Sequence, residues 1–173
     1  MAQTMLATPL DVLNYALTLE HLEHAFYRDG LASLSAADFQ AAGFSADVYA
    51  YLGMIRDHER DHVDVITGVI ESLGGEPVAE ATYDFGYEDA RGFLDIAAAL
   101  ENTGVAAYQG AAGALIDEDD LLTAALTIHG VEARHAAYLN GLTGESPFPD
   151  ATNPTLTPNE VLAIAGPFIT GGM

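Results

Sequence analysis

Apolar residues recur in steps of three and four over four long stretches of the chain, as they do in amphipathic helices. Helix boundary signals flank these stretches. Thr8 and Pro9 open the first, Gly74 and Gly75 end the second, and the acidic run 117–120 opens the fourth. The pattern predicts four helices, over about residues 9–31, 45–74, 88–116 and 117–141.

The rest of the chain has a weaker pattern. Only residues 82–87 show a brief strand-like alternation, and the segment after Gly141 is rich in Pro, Thr and Asn. One short helix over residues 158–165 is compatible with that segment. We therefore expect a helical domain over residues 1–142 and a mostly irregular tail over residues 143–173.

The link between the second and third helices determines the topology. Residues 75–87 give about 13 residues, which at roughly 3.3 Å each span about 43 Å. A helix of about 27 residues is about 40 Å long. The link can therefore run the whole length of the helices. The sequence predicts an all-α four-helix bundle with one long crossover between helices two and three.

Each of the four apolar stripes contains one glutamate near its middle. These residues are Glu20, Glu59, Glu101 and Glu132. Two of them continue as Glu-x-x-His, ending in His62 and His135. Residues three apart share a helix face, so each pair presents a carboxylate and an imidazole to the same point.

Four carboxylates at one level of a core need compensation, because an unpaired buried charge costs several kcal/mol. Two divalent cations would neutralise them. The alternative is that an acidic helical protein shows Glu-x-x-His by chance on solvated faces. The position of all four glutamates on the apolar stripes argues against chance, so the pattern predicts a di-metal carboxylate centre.

The two halves of the chain repeat one another. Leu19-Glu20 with Tyr27 seven residues on matches Leu100-Glu101 with Tyr108 seven residues on. The repeat indicates a duplicated helical hairpin with the metals near a pseudo-twofold axis. Tyr27 and Tyr108 are either core aromatics or residues that hydrogen-bond the metal ligands or supply electrons to the metals.

The other polar residues near the stripes are weaker candidates. Glu23 lies about 60° around the helix from Glu20, so we expect it on the flank or surface. His24 either lines the site or is a core histidine. We expect the acidic run 117–120 to cap a helix rather than form a cation channel. Three further histidines are expected to be solvated: His21, His58 and His129.

Three segments, 17–27, 55–62 and 131–138, resemble the ferritin-like superfamily, which includes bacterioferritin and rubrerythrin. The chain is most similar to its desiccation-related members. The resemblance implies a ferritin-like bundle whose six metal-ligand positions are Glu20, Glu59, His62, Glu101, Glu132 and His135. Bacterioferritin has an aspartate before each Glu-x-x-His glutamate, where this chain has His58 and Val131, so we expect different support of the ligands.

Composition excludes several function classes. The chain has 26 Asp and Glu against 5 basic residues, a net charge of -21, which disfavours binding to nucleic acid or anionic membranes. It has no cysteine, which excludes disulfides, thiolate zinc sites, iron–sulfur centres and cysteine nucleophiles. No export signal or membrane segment is visible, so we expect a cytoplasmic protein.

Two readings of the function stay open at this point. In the first, two iron or manganese ions (or zinc after purification) react with dioxygen or peroxide or oxidise Fe(II) during oxidative or desiccation stress. In the second, the protein is a non-catalytic, stress-protective or metal-binding structural protein, or an iron-storage subunit. We expect a homo-oligomer, and a dimer rather than a storage shell.

All five basic residues are arginines, and this composition with strong acidity predicts a cell with high internal salt. Thermal unfolding measured in rising KCl tests this. Because salt screens self-repulsion, the midpoint should rise by about 2–4 °C for each kcal/mol of repulsion removed. Full stability in low salt would contradict the prediction.

Overall fold

The computed structural model of the protein describes residues 6–172 and forms long helices from all four amphipathic stretches. The all-α prediction is confirmed. The helices are α1 (Pro9–Ser33), α2 (Ala36–Ala41), α3 (Val48–Ser72), α4 (Ala90–Ala111), α5 (Asp119–Thr143) and α6 (Pro158–Ala165). Two short strands, β1 (Thr82–Tyr83) and β2 (Ile169–Gly171), form an antiparallel pair.

The helix boundaries follow local chemistry, with several differences from the sequence prediction. The third long helix, expected to reach residue 116, ends at Ala111 and is followed by a 3₁₀ turn (Ala112–Leu115). Thr8 and Asp11 form a capping box at the start of α1. The fourth long helix does not end at Gly141. It continues to Thr143 and ends where Gly144 adopts φ +90°, the left-handed conformation that glycine favours. The short helix α2 was not predicted, because six residues carry too little periodicity.

The link between α3 and α4 runs along the length of α1. Asn14, near the start of α1, donates to the Glu76 carbonyl at 3.3 Å. Farther along, Arg28 pairs with Glu80 at 3.0 Å. The link therefore delivers the start of α4 to the C-terminal end of α1. Since α1 and α3 form an antiparallel hairpin, α3 and α4 are parallel, and the predicted crossover is confirmed.

The hairpins α1–α3 and α4–α5 pack face to face through α1 and α4. An aromatic cluster fills this interface at the C-terminal end of α1. Phe26 and Phe93 stack with ring centroids 4.4 Å apart, and Phe85 contacts Phe26 edge-on at 5.0 Å. Phe93 approaches α1 closely at Gly30, where a Cβ would lie 2.1 Å from Phe93 Cε2.

The C-terminal tail is irregular over 145–157 and then returns to the bundle. Its predicted short helix is present as α6, which packs against α4 and buries Val161 and Ala165 in the main core. After α6 the tail reaches β2, which pairs with β1 inside the crossover. The tail thus covers one side of the bundle and ties the crossover down.

Within residues 6–172, no helix combines the length and the apolar character needed to span a bilayer.

Gly30→Ala tests the close contact between α1 and α4. We expect a loss of about 1–3 kcal/mol in the free energy of unfolding, because the added methyl group overlaps the Phe93 ring. Gly68→Ala is the matched control, since its Cβ would meet nothing within 4 Å. It should stabilise the protein by about 0.5–1 kcal/mol through helix propensity. Urea unfolding measures both free energies, and equal changes in the two variants would contradict the close contact between Gly30 and Phe93.

Candidate metal centre

Six side chains from the four long helices meet at the centre of the bundle. The carboxyl groups of Glu20, Glu59, Glu101 and Glu132 are fully buried, and His62 and His135 are nearly so. Each helix supplies its ligands from the middle of its apolar stripe, which is why the side chains reach one level. The structure therefore brings together all six residues singled out as metal ligands in the sequence.

The six residues form two overlapping groups of four. One group is Glu20, Glu59, His62 and Glu132, and the other is Glu59, Glu101, Glu132 and His135. Within each group the possible ligand atoms lie within 4.8 Å of one another. Glu59 and Glu132 belong to both groups. The arrangement is that of two neighbouring cation positions joined by two shared carboxylates.

His62 lies close to more carboxylate oxygens than its one Nδ1 proton can satisfy. Its Nδ1 lies 3.1 Å from a carboxylate oxygen of each of Glu20, Glu59 and Glu132. One ring nitrogen carries at most one proton and cannot donate to three oxygens. His135 Nδ1 is similarly placed, 3.0 Å from Glu59 and 3.2 Å from Glu101.

The oxygens of the shared carboxylates also lack partners. Both oxygens of Glu132 and Oε1 of Glu59 are buried without a well-oriented hydrogen bond from any residue of the described chain. An unsatisfied buried carboxylate is costly, and a divalent cation is the group that satisfies several such oxygens at once. Carboxylate oxygens and imidazole nitrogens suit iron and manganese. The residues present therefore fit a di-metal centre.

The charges at the centre make the histidines strong bases. Burial opposes ionisation of His62, but its interactions with Glu132, Glu20 and Glu59 outweigh this and raise its pKa to about 12. Burial also opposes ionisation of His135, but its interactions with Glu101 and Glu59 outweigh burial and raise its pKa to about 9. Without metal, both imidazoles therefore hold a proton at neutral pH.

The pKa values of the glutamates shift in both directions. Burial raises the pKa of Glu59, but its hydrogen bonds from His135 and His62 outweigh burial and lower the value to about 2. Burial raises the pKa of Glu20 to about 7. Burial and the neighbouring Glu59 and Glu101 hold the pKa of Glu132 well above its usual range. Protons therefore supply the positive charge that cations would bring.

The two tyrosines singled out in the sequence each cross to the other hairpin. Tyr27 of α1 donates to Glu101 Oε1 on α4 at 2.6 Å, and Tyr108 of α4 donates to Glu20 Oε1 on α1. Both rings pack in the core as well, so the two alternatives offered by the sequence are not exclusive. The hydroxyls fix the orientation of the two carboxylates that are not shared.

His58 is exposed, as the sequence predicted, but it also contacts one of the candidate ligands. Its Nδ1 lies 2.9 Å from His135 Nε2, and the two rings stack 5.2 Å apart. His58 precedes Glu59 and therefore faces the histidine of the other hairpin. The equivalent residue before Glu132 is Val131, which offers no such bond. His135 therefore has a hydrogen-bonding partner outside the ligand set, and Val131 cannot provide one for His62.

Glu23 is a buried carboxyl group whose position the sequence did not predict. It was expected on the flank of α1, yet its side chain is buried beside the centre. A Cβ on Gly104 of α4 would lie 3.0 Å from Glu23 Oε1 and 3.5 Å from Glu132 Oε2, so the glycine provides the space. Burial and Glu132 hold the pKa of Glu23 well above its usual range. In the internal repeat Glu23 corresponds to Gly104. A glycine at this position of the partner helix was the feature of the sequence that could have indicated room for the Glu23 side chain.

The remaining candidates lie away from the ligands. His21 is half-buried and donates to the Val78 carbonyl at 3.1 Å, so it fastens the crossover rather than pointing to solvent. His24 and His129 are half-buried, and burial lowers the pKa of each. The acidic run 117–120 is exposed, and no side chain in it caps α5 by a hydrogen bond.

Comparison with known proteins agrees with this architecture. Protein rds1 of Schizosaccharomyces pombe (strain 972 / ATCC 24843) is 26% identical over 161 residues, which are 92% of this chain and 39% of that protein. The chain thus spans well under half of that relative. A crystal structure of ferritin-like, diiron-carboxylate proteins from Bacillus anthracis str. Ames shares the fold, with a TM-score of 0.67 at 20% identity over 78% of this chain and 94% of the other.

The family comparison covers the whole bundle. The sequence model of the ferritin-like domain matches residues 8–145, which include all six candidate ligands and both tyrosines. That match takes in α1 to α5 and leaves out most of the tail. The chain is a member of the ferritin-like domain family.

Proposed function

We propose that the protein holds two iron or manganese ions and uses them in redox chemistry with dioxygen or peroxide, including the oxidation of Fe(II). The observation that carries the proposal is the pair of overlapping ligand groups that share Glu59 and Glu132. Two adjacent iron ions can together give two electrons to dioxygen, so that two Fe(II), O₂ and two protons become two Fe(III) and H₂O₂.

The protein side chains have distinct roles in this proposal. His62 and His135 would each hold one cation, and Glu59 and Glu132 would contribute to both positions. Tyr27 and Tyr108 keep Glu101 and Glu20 oriented through their hydroxyl groups. An open groove of about 270 Å³, lined by His58, His135 and mostly apolar neighbouring side chains, opens to solvent at this edge of the centre.

The cellular setting is a further part of the proposal. We propose a cytoplasmic protein of oxidative or desiccation stress, supported by the acidic surface that keeps it solvated and dispersed. A dimer is proposed because Tyr51, Met54 and Val65 leave apolar surface exposed along α3. A large shell in light scattering would instead support iron storage.

Metal titration of the metal-free protein tests the centre. Calorimetry with Mn(II) or Fe(II) under nitrogen should show two ions per chain. Binding should release protons at pH 7, because the raised pKa values of His62 and His135 keep both imidazoles protonated until the cations displace those protons. Proton release is read by repeating the titration in buffers of different ionisation enthalpy.

Two variants of α3 sharpen this test. Glu59→Gln should abolish binding of at least one ion, since its carboxylate belongs to both groups. Glu71→Gln removes the same charge from an exposed position of the same helix and should bind two ions unchanged. Binding without proton release, or equal affinity in both variants, would indicate adventitious surface sites and contradict the proposal.

Iron oxidation tests the reaction. The iron-loaded protein should oxidise Fe(II) faster than free iron under the same conditions, and Tyr108→Phe should slow it by about 10–100-fold through loss of the bond to Glu20. Tyr87→Phe, which removes an exposed hydroxyl, should leave the rate unchanged. Redox-silent metal in the unaltered protein would support the non-catalytic alternative.

A further inference from the structure

An apolar cavity of about 50 Å³ lies inside the bundle, on one side of the metal centre. It is bounded by the four long helices and by the 3₁₀ turn after α4. Its walls are almost wholly aliphatic, and representative lining residues are Val12, Ala16, Ile66, Ala107, Tyr108 and Ile128. A water-sized probe needs about 10–15 Å³, so the cavity has room for a small guest and not for a long chain.

The cavity results from small residues in one half of the repeat. In the other half, Phe26 and Phe93 stack beside Tyr27 and fill the corresponding space. The repeat that pairs Tyr27 with Tyr108 pairs Phe26 with Ala107 and Phe93 with Val12. Both of these smaller residues line the cavity. Two aromatic rings are thus replaced by a methyl and an isopropyl group.

The cavity ends next to the metal ligands. Ala16, Ile66 and Ile128 each lie one helical turn from a ligand, namely Glu20, His62 and Glu132, which is a rise of about 6 Å. Tyr108 forms part of the wall and donates its hydroxyl proton to Glu20. A guest in the cavity is therefore separated from the centre by one ring and one turn of each helix.

The other end of the cavity lies toward the surface between α3 and α5. Val65 and Val69 of α3 and Leu121 and Ala124 of α5 are lining residues that are exposed or half-exposed. The helices α3 and α5 pack on α1 and α4 rather than closely on each other. An apolar molecule can thus pass from solvent between these two helices to Tyr108.

We propose that this cavity admits dioxygen, and not peroxide, to the di-metal centre; the inference rests on the function proposed above. A buried water needs two to four polar partners, and peroxide has at least as many groups to satisfy. Among the described residues the cavity offers the Tyr15 hydroxyl, which has no partner, while that of Tyr108 is bonded to Glu20. Dioxygen loses no hydrogen bonds on entering.

The proposed reaction of dioxygen at the centre is a two-electron reduction. Dioxygen accepts two electrons from two Fe(II) and two protons from solvent or nearby acids, and leaves as hydrogen peroxide. Two Fe(III) remain. Peroxide supplied from outside would reach the centre through the solvent-open groove beside the imidazoles of His58 and His135, and would not use the cavity.

Xenon binding tests the cavity without any metal or turnover. Crystals of the metal-free protein under xenon pressure should show one xenon site bounded by Ala107, Tyr108 and Ile128, because dry apolar cavities of this kind bind xenon. Ala107→Phe should remove the site. Ala107→Val, a smaller change that keeps the fold if phenylalanine does not, should lower its occupancy. Ala99→Phe places the same side chain on the exposed face of α4 and should leave xenon bound.

The kinetic arm separates the two oxidants. In the iron-loaded protein, Ala107→Phe should raise the apparent KM for dioxygen by about 10-fold while the rate with peroxide stays within about 2-fold. The Ala99→Phe protein should have the same apparent KM for dioxygen and the same rate with peroxide as the unaltered protein. No oxidation in any protein would reject the proposed function, and xenon binding would still decide the cavity.

Three results would overturn the inference. One is the absence of xenon from the unaltered protein. Another is an equal loss of rate with dioxygen and with peroxide in the cavity variants, which would indicate general damage to the centre. The last is an aliphatic chain extracted from the native protein and missing from Ala107→Phe, which would assign the cavity to a different guest.

Discussion

The burial of negative charge at the middle of the bundle is the constraint on which the rest of the structure depends. Five glutamates lie inside the core, and four of them converge with two histidines. Such a cluster is stable only when positive charge is present at the same place. Protons on the buried histidines and carboxyl groups provide it without metal, and two divalent cations would replace them. The crossover and the tail hold the two hairpins in the register that this convergence requires.

The ligands obey the pseudo-twofold symmetry of the repeat more closely than their surroundings do. Each hairpin supplies a glutamate from one helix and Glu-x-x-His from the other, and the tyrosines exchange hydrogen bonds between hairpins. Around this set the halves differ. His58 backs one histidine where the other half has Val131, and Ala107 stands where the other half has Phe26. The two cation positions therefore differ in access and hydrogen bonding although their ligand types are the same.

Much of the fold and the ligand set follows from the sequence, because a polar residue at the centre of a long apolar stripe can face only the core. Local features that depend on tertiary packing did not follow. Glu23 lies off the stripe, and only the absence of a side chain on Gly104 lets it be buried. The position of His58 depends on the rotation of α3 against α5. The pairing of β1 with β2 joins segments far apart in sequence, each too short to show a pattern.

The most direct test of the central claim is the anomalous diffraction of crystals soaked in Fe(II) under nitrogen, measured on both sides of the iron absorption edge. The account predicts two iron peaks about 3.5–4 Å apart, both within bonding distance of Glu59 and Glu132, one beside His62 and the other beside His135. A lone peak, or peaks confined to the acidic surface with an ordered and empty centre, would contradict it.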